Sequence, residues 1–106
     1  RTIEAVKPGI RASDLYRVCE HLYAEIGLPF WLAHIGHGLG LGLHEHPMLN
    51  PHVDQQLLPG MVLCIEPAHL DPGVAGYHIE DLVLVTEDGA KSLTDVHRWS
   101  ELFVID

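Results

Sequence analysis

Basic residues are scarce in this chain: six Lys and Arg stand against fifteen Asp and Glu, for a formal net charge of −9. A nucleic-acid backbone is held by clustered Lys and Arg, and the six here are scattered, so nucleic acid is not an expected partner. Cysteine is as sparse. Cys19 falls on a predicted helix and Cys64 in a predicted core strand. Two cysteines so placed read as reduced core residues and not as a disulfide, which points to a cytoplasmic protein. Long apolar runs are also missing. The longest, Met61 to Ile65, is far short of the roughly 20 residues that cross a bilayer, so no membrane partner is expected. No signal-peptide pattern opens the chain, and neither an internal repeat nor a low-complexity segment interrupts it.

The length of 106 residues and a hydrophobic fraction of 47% are enough for one domain with its own core. Arg1–Gly9 reads as the tail of a helix ended by Pro8 and Gly9; a helix that begins without a cap suggests a piece of something longer. Ser13 is the expected N-cap of the next helix, with Asp14 in its first turn. Leu15, Val18, Cys19, Leu22, Tyr23 and Ile26 recur at helical spacing, and Gly27 with Pro29 closes the element. From His37 the texture becomes alternating. A strand there places Leu39, Leu41 and Leu43 on one face and Gly38, Gly40, Gly42 and His44 on the other. His37 and His44 have opposite parity, so a shared site requires a bulge or bend near Gly38 or Gly40. Pro47 to Pro59 reads as a loop with little structure. Met61–Pro67 and Tyr77–Val85 read as buried strands joined by the turn Asp71–Gly76. Glu87-Asp-Gly89 marks a hairpin into a strand at Ala90–Leu93, and Leu102–Ile105 is a last strand or a docked tail. Helices followed by an antiparallel sheet make an α+β fold.

Two carboxylates conflict with this pattern. Glu66 and Glu80 lie in the two apolar strands, each seven residues from Gly73. A hairpin centred on that glycine sets them opposite one another, with Cβ atoms roughly 5 Å apart, where like charges destabilise a sheet. A buried carboxylate protonates or acquires a partner, and two aimed at one point call for a cation. Nearby histidines suggest a metal. Plainer readings stay open: Glu66 as an exposed strand end before Pro67, Glu80 paired with Lys91, Arg98 or an early arginine, and each histidine as a surface residue. His44-Glu-His-Pro47 is not the helical zinc motif, because the histidines are two apart and Pro47 opposes a helix. The Gly-His-Gly-Leu-Gly run leads into a strand and lacks the helix N-terminus of a phosphate loop.

Three segments carry a resemblance: Gly36-His-Gly-Leu-Gly-Leu-Gly-Leu-His-Glu-His-Pro47, Leu58-Pro-Gly-Met-Val-Leu-Cys-Ile-Glu-Pro67 and Gly76-Tyr-His-Ile-Glu-Asp-Leu-Val-Leu-Val-Thr-Glu-Asp-Gly89. With the upstream Ala5-Val-Lys-Pro-Gly-Ile-Arg-Ala-Ser-Asp-Leu15, they closely resemble the pita-bread metallopeptidases. These include Xaa-Pro dipeptidases, aminopeptidase P, methionine aminopeptidase and creatinase. The resemblance implies helices packed on a curved antiparallel sheet and a pair of divalent metals (Mn, Co, Fe or Zn). It implies His37, Glu66 and Glu80 as metal ligands, with Glu66 also the general base and Glu80 bridging the ions. His44 resembles the residue that hydrogen-bonds the scissile carbonyl; His34 and His78 are further substrate-binding candidates.

The family's two aspartate ligands would lie upstream of Arg1, since neither Asp14 nor Asp54 fits. Residues 1–106 are then the C-terminal portion of a single catalytic domain. The position of His78 is often arginine in proline-specific members, which leaves a creatinase-like hydrolase of a small non-peptide molecule as an alternative, with a non-catalytic binding module as a second. The leading expectation is an Xaa-Pro-type peptidase acting on small peptides, homodimeric in its full-length form.

Overall fold

The computed structural model describes residues 1–95; Arg98 and the Leu102–Ile105 segment lie outside the described residues. The elements in chain order are a short 3-10 turn (Ile3–Ala5), helix α1 (Ala12–Glu25), and strands β1 (Gly36–Gly38), β2 (Glu45–Met48), β3 (Val62–Ile65), β4 (Ala68–Asp71), β5 (Ala75–His78), β6 (Asp81–Val85) and β7 (Ala90–Ser92). Five strands form an antiparallel sheet in the order β2-β1-β3-β6-β7, and β4 pairs with β5 as a separate two-stranded ribbon. No helix of the described residues is long and apolar enough to cross a membrane.

Helix α1 buries Ala12, Leu15, Tyr16 and Cys19. Its start differs from expectation. Ser13 lies inside the helix with its hydroxyl donating to Asp54 Oδ1 (3.2 Å). The 53–55 backbone does the capping: the Ala12 N–H donates to the Gln55 carbonyl and the Ser13 N–H to that of Val53. A backbone acceptor satisfies an end-of-helix donor as well as a capping side chain does. The other end follows expectation, since the Gly27 N–H reaches the Ala24 carbonyl and the Leu28 N–H reaches that of Tyr23, the Schellman pattern with Gly27 at φ 71°. Ile26 is exposed, so the buried stripe stops a turn earlier than its spacing suggested.

The core unites Leu15 of the helix with Ile35, Leu49, Leu57, Leu63, Val83 and Val85. Each such aliphatic side chain contributes about 1.5–3 kcal/mol by leaving water. Leu49 and Leu57 correct the view of residues 47–59 as a loop of little structure. Both are fully buried, Pro47 and Met48 belong to β2, and Gln56 bridges to Arg11.

The long hairpin keeps one register throughout. Ile65 pairs with Asp81 in β3–β6, and Ala68 pairs with His78 in β4–β5; both pairings are symmetric about Gly73. The two expected strands are nevertheless each broken in two. Pro67 has no N–H to donate, and the Glu66 N–H turns away to the Ile35 carbonyl (2.8 Å). The break leaves Glu66 and Glu80 facing each other in a gap in the ladder.

The expected strand from His37 to His44 ends at Gly38, and residues 40–44 form bends. Leu41 and Leu43 are exposed, so no leucine face exists. An added Cβ at Gly38 would collide with the His46 carbonyl oxygen, so only glycine allows β2 to approach this closely. Register shifts between His37 and Gly38: His37 pairs with Met48, Gly38 with Glu45. That irregularity is the bulge the two histidines required.

Candidate metal centre

Three pieces of backbone deliver the site. β1, an interior strand of the sheet, presents His37, the break after β3 presents Glu66, and the β5–β6 junction presents Glu80. His37 is buried, its side chain 4% exposed, and that of Glu66 is 14% exposed. Glu80 departs from expectation. It is exposed, because the ladder break lifts it past the end of β6 and beyond the core layer.

Glu66 is surrounded by histidines. His37 Nε2 lies 3.4 Å from its Oε1, His34 Nδ1 4.0 Å from the same oxygen, and His78 Nε2 3.5 Å from Oε2. His78 Nε2 also lies 3.1 Å from the Glu66 carbonyl oxygen. His44 comes back through the bend to set its ring 4.2 Å from that of His37, centroid to centroid. Ligand atoms of His37, His44 and Glu66 fall within 4.8 Å of one another, and so do those of Cys64, Glu66 and Glu80. Glu66 belongs to both groups; His37 and Glu80 each share a group with Glu66 but not with one another.

The tautomer of His37 gives this geometry its chemistry. Nδ1 lies 2.8 Å from the Gly38 carbonyl oxygen, an acceptor only, so Nδ1 carries the proton and donates it. Nε2, a lone pair in the neutral ring and a second donor in the imidazolium, faces a carboxylate oxygen at 3.4 Å. Two acceptors so placed repel unless a proton or a cation lies between them. Fixing one ring nitrogen on a backbone carbonyl is also how metal-binding histidines are oriented. His34 Nδ1 adds a buried nitrogen with no hydrogen-bond partner, a group that normally finds one. Imidazole and carboxylate donors around an unfilled need for positive charge fit a divalent ion of the Mn, Fe, Co or Zn type.

No Lys or Arg among the described residues answers that need: Arg1 pairs with Glu25, Arg11 with Asp54 and Arg17 with Glu20. The plainer pairing of Glu80 with Lys91 or an early arginine is thus not formed.

Cys64 was legible only as a core residue. It lies two positions before Glu66 in the expected Met61–Pro67 strand, which puts both on one face; that was the available signal. Burial pushes its thiol up to about 12, and a hydrogen bond with Glu80 and the charge of Glu66 push the same way. A neutral thiol beside the carboxylates is no nucleophile.

The chain is similar to known proteins. A family model described as metallopeptidase family M24 matches residues 1–87. The Xaa-Pro dipeptidase of Pyrococcus furiosus is 41% identical over 99 residues, which cover 92% of this chain and 28% of that protein. Among solved structures, the prolidase from Pyrococcus furiosus superposes with a TM-score of 0.85 at 40% identity, covering 92% of this chain and 29% of its own. The Xaa-Pro dipeptidase from Bacillus anthracis superposes at 0.88 and 32% identity, covering 99% and 29%. The chain therefore spans somewhat more than a quarter of the proteins it matches, and it shares their α+β pita-bread fold.

Proposed function

The chain belongs to metallopeptidase family M24, and we propose that it supplies His37, Glu66 and Glu80 to the dinuclear metal centre of a prolidase-type dipeptidase. In this reading residues 1–106 are the C-terminal portion of one catalytic domain, and two aspartates further upstream complete the ligand set. The observation that carries the proposal is His37 Nε2 facing the Glu66 carboxylate at 3.4 Å, with Glu80 and Glu66 offering oxygens within 4.8 Å of each other.

Divalent ions, when bound, supply the Lewis acidity that readies a water for attack and polarises the scissile carbonyl. The chain's own residues do the rest. Glu66, which pairs with no Lys or Arg among the described residues, accepts the proton of the attacking water and returns it to the departing amine. Protonated on the nitrogen that faces substrate, His44 donates a hydrogen bond to the carbonyl oxygen and holds it as negative charge develops. His37 keeps its Nδ1 proton on the Gly38 carbonyl throughout and so stays oriented. His34 and His78, on either side of Glu66, line the space where the dipeptide ends would lie.

Incubating the full-length protein with Mn2+ and a panel of dipeptides tests the reading. Hydrolysis of Xaa-Pro substrates, abolished by a chelator and restored by added metal, is the expected result. A second reading, a same-fold hydrolase of a small amide or amidino compound, is favoured by His78 at a position that is often arginine in proline-specific members; an active metal-loaded protein that leaves every dipeptide intact would select it. A non-catalytic module is disfavoured by the retention of His37, Glu66 and Glu80 together. The two buried, unpaired cysteines support a cytoplasmic enzyme, and the family likeness supports a homodimer, which light scattering of the full-length protein would check.

A further inference from the structure

We propose that Glu45 is a positioning residue: its carboxylate clamps the bend at residues 40–44 and so sets the His44 ring against His37. The inference rests on the role given above to His44 and adds the residue that places it.

The bend has little else to hold it. Between the end of β1 at Gly38 and the start of β2 at Glu45, Leu41 and Leu43 are exposed and outside the core. Leu39 is tied to β3 through its N–H to the Val62 carbonyl (2.9 Å), whereas the Gly40 N–H to Gly42 carbonyl contact is long at 3.4 Å. The short bond is the one to Glu45: the Gly42 N–H donates to Oε1 at 2.6 Å. A hydrogen bond to an ionised carboxylate is roughly twice as strong as a neutral one, and this one spans the residue that must be re-aimed. The carboxylate also fills the inside of the bend. A Cβ added at Gly40 would run into both carboxylate oxygens, and one at Gly42 would press on Cγ and Oε1. Two of the run's glycines are thus accounted for by the carboxylate that lies against them. Glu45 makes no ion pair among the described residues, and its exposed position leaves the core untouched, so its work is local.

Removing the clamp is expected to free His44 without disturbing His37 or Glu66. In the full-length protein, Glu45→Ala and Gly40→Ala should each lower kcat for an Xaa-Pro dipeptide about 10–100-fold, the scale on which small misplacements of a reacting group act. Glu45→Gln, which keeps an acceptor for the Gly42 N–H, should recover most of that loss. Adding Glu45→Ala to a His44→Ala background should cost no more than His44→Ala alone, because two residues acting as one unit are not additive. A crystal structure of the Glu45→Ala protein, prepared without added metal, should show the His44 ring displaced from its tilted contact with the His37 ring. An undisplaced ring, or fully additive losses in the double variant, overturns the proposal. The crystallographic arm needs no peptidase activity, so a wrong substrate assignment and a wrong role for Glu45 give different results.

Discussion

Replacing Glu66 with alanine in the full-length protein is expected to cut turnover by at least about 10²–10⁴-fold, the range for loss of a positioned general base. The reason is its double employment. Glu66 is the one residue common to both clusters of ligand-capable atoms, and three histidines point nitrogens at its carboxylate within 4.0 Å. Alanine removes a proton acceptor and a ligand at once. The fold should survive, because the side chain lies at the rim of the sheet in a break in the ladder and the Glu66 N–H keeps its bond to the Ile35 carbonyl. Steady-state kinetics with a circular dichroism control measures both effects. Unchanged turnover would remove Glu66 from the chemistry.

Residues 1–106 on their own are expected to bind divalent metal weakly and to hydrolyse no dipeptide. In the proposed centre three ligands come from this chain, and one of them, Glu80, is exposed, so water would compete for the ion. Neither Asp14 nor Asp54 can add to them: Asp14 is in the first turn of α1, and Asp54 is engaged by Ser13 and Arg11. Calorimetric titration of the purified chain with Mn2+ and Zn2+, alongside a dipeptide assay, checks this. Tight binding with sustained hydrolysis would show that the set of donors here is already sufficient.

The facing carboxylates were legible because hairpin register is arithmetic: pairings symmetric about Gly73 oppose residues 66 and 80 wherever the ladder continues. Less legible was that the ladder stops between them. Pro67 was the signal, and its missing donor both splits the strands and opens the space an ion needs. The leucine–glycine alternation after His37 misled in a specific way. It has the period of a strand, but glycine contributes no side chain to pack and leaves the backbone free to bend, so proximity to the β2 backbone and to Glu45 decided the conformation. Capping of α1 from the 53–55 backbone could not be read from Ser13, since it depends on a contact more than forty residues away in sequence. Glu45 itself sat in plain view between two histidines, and only the bend showed what its carboxylate holds.

The most direct test of the central claim is anomalous diffraction from crystals of the full-length protein grown with Mn2+. The expected result is a peak about 2.0–2.6 Å from His37 Nε2 and from oxygens of Glu66 and Glu80, with His37 Nδ1 still within hydrogen-bond distance of the Gly38 carbonyl oxygen. A strong peak elsewhere, with these three side chains turned apart and no ion between them, would contradict it.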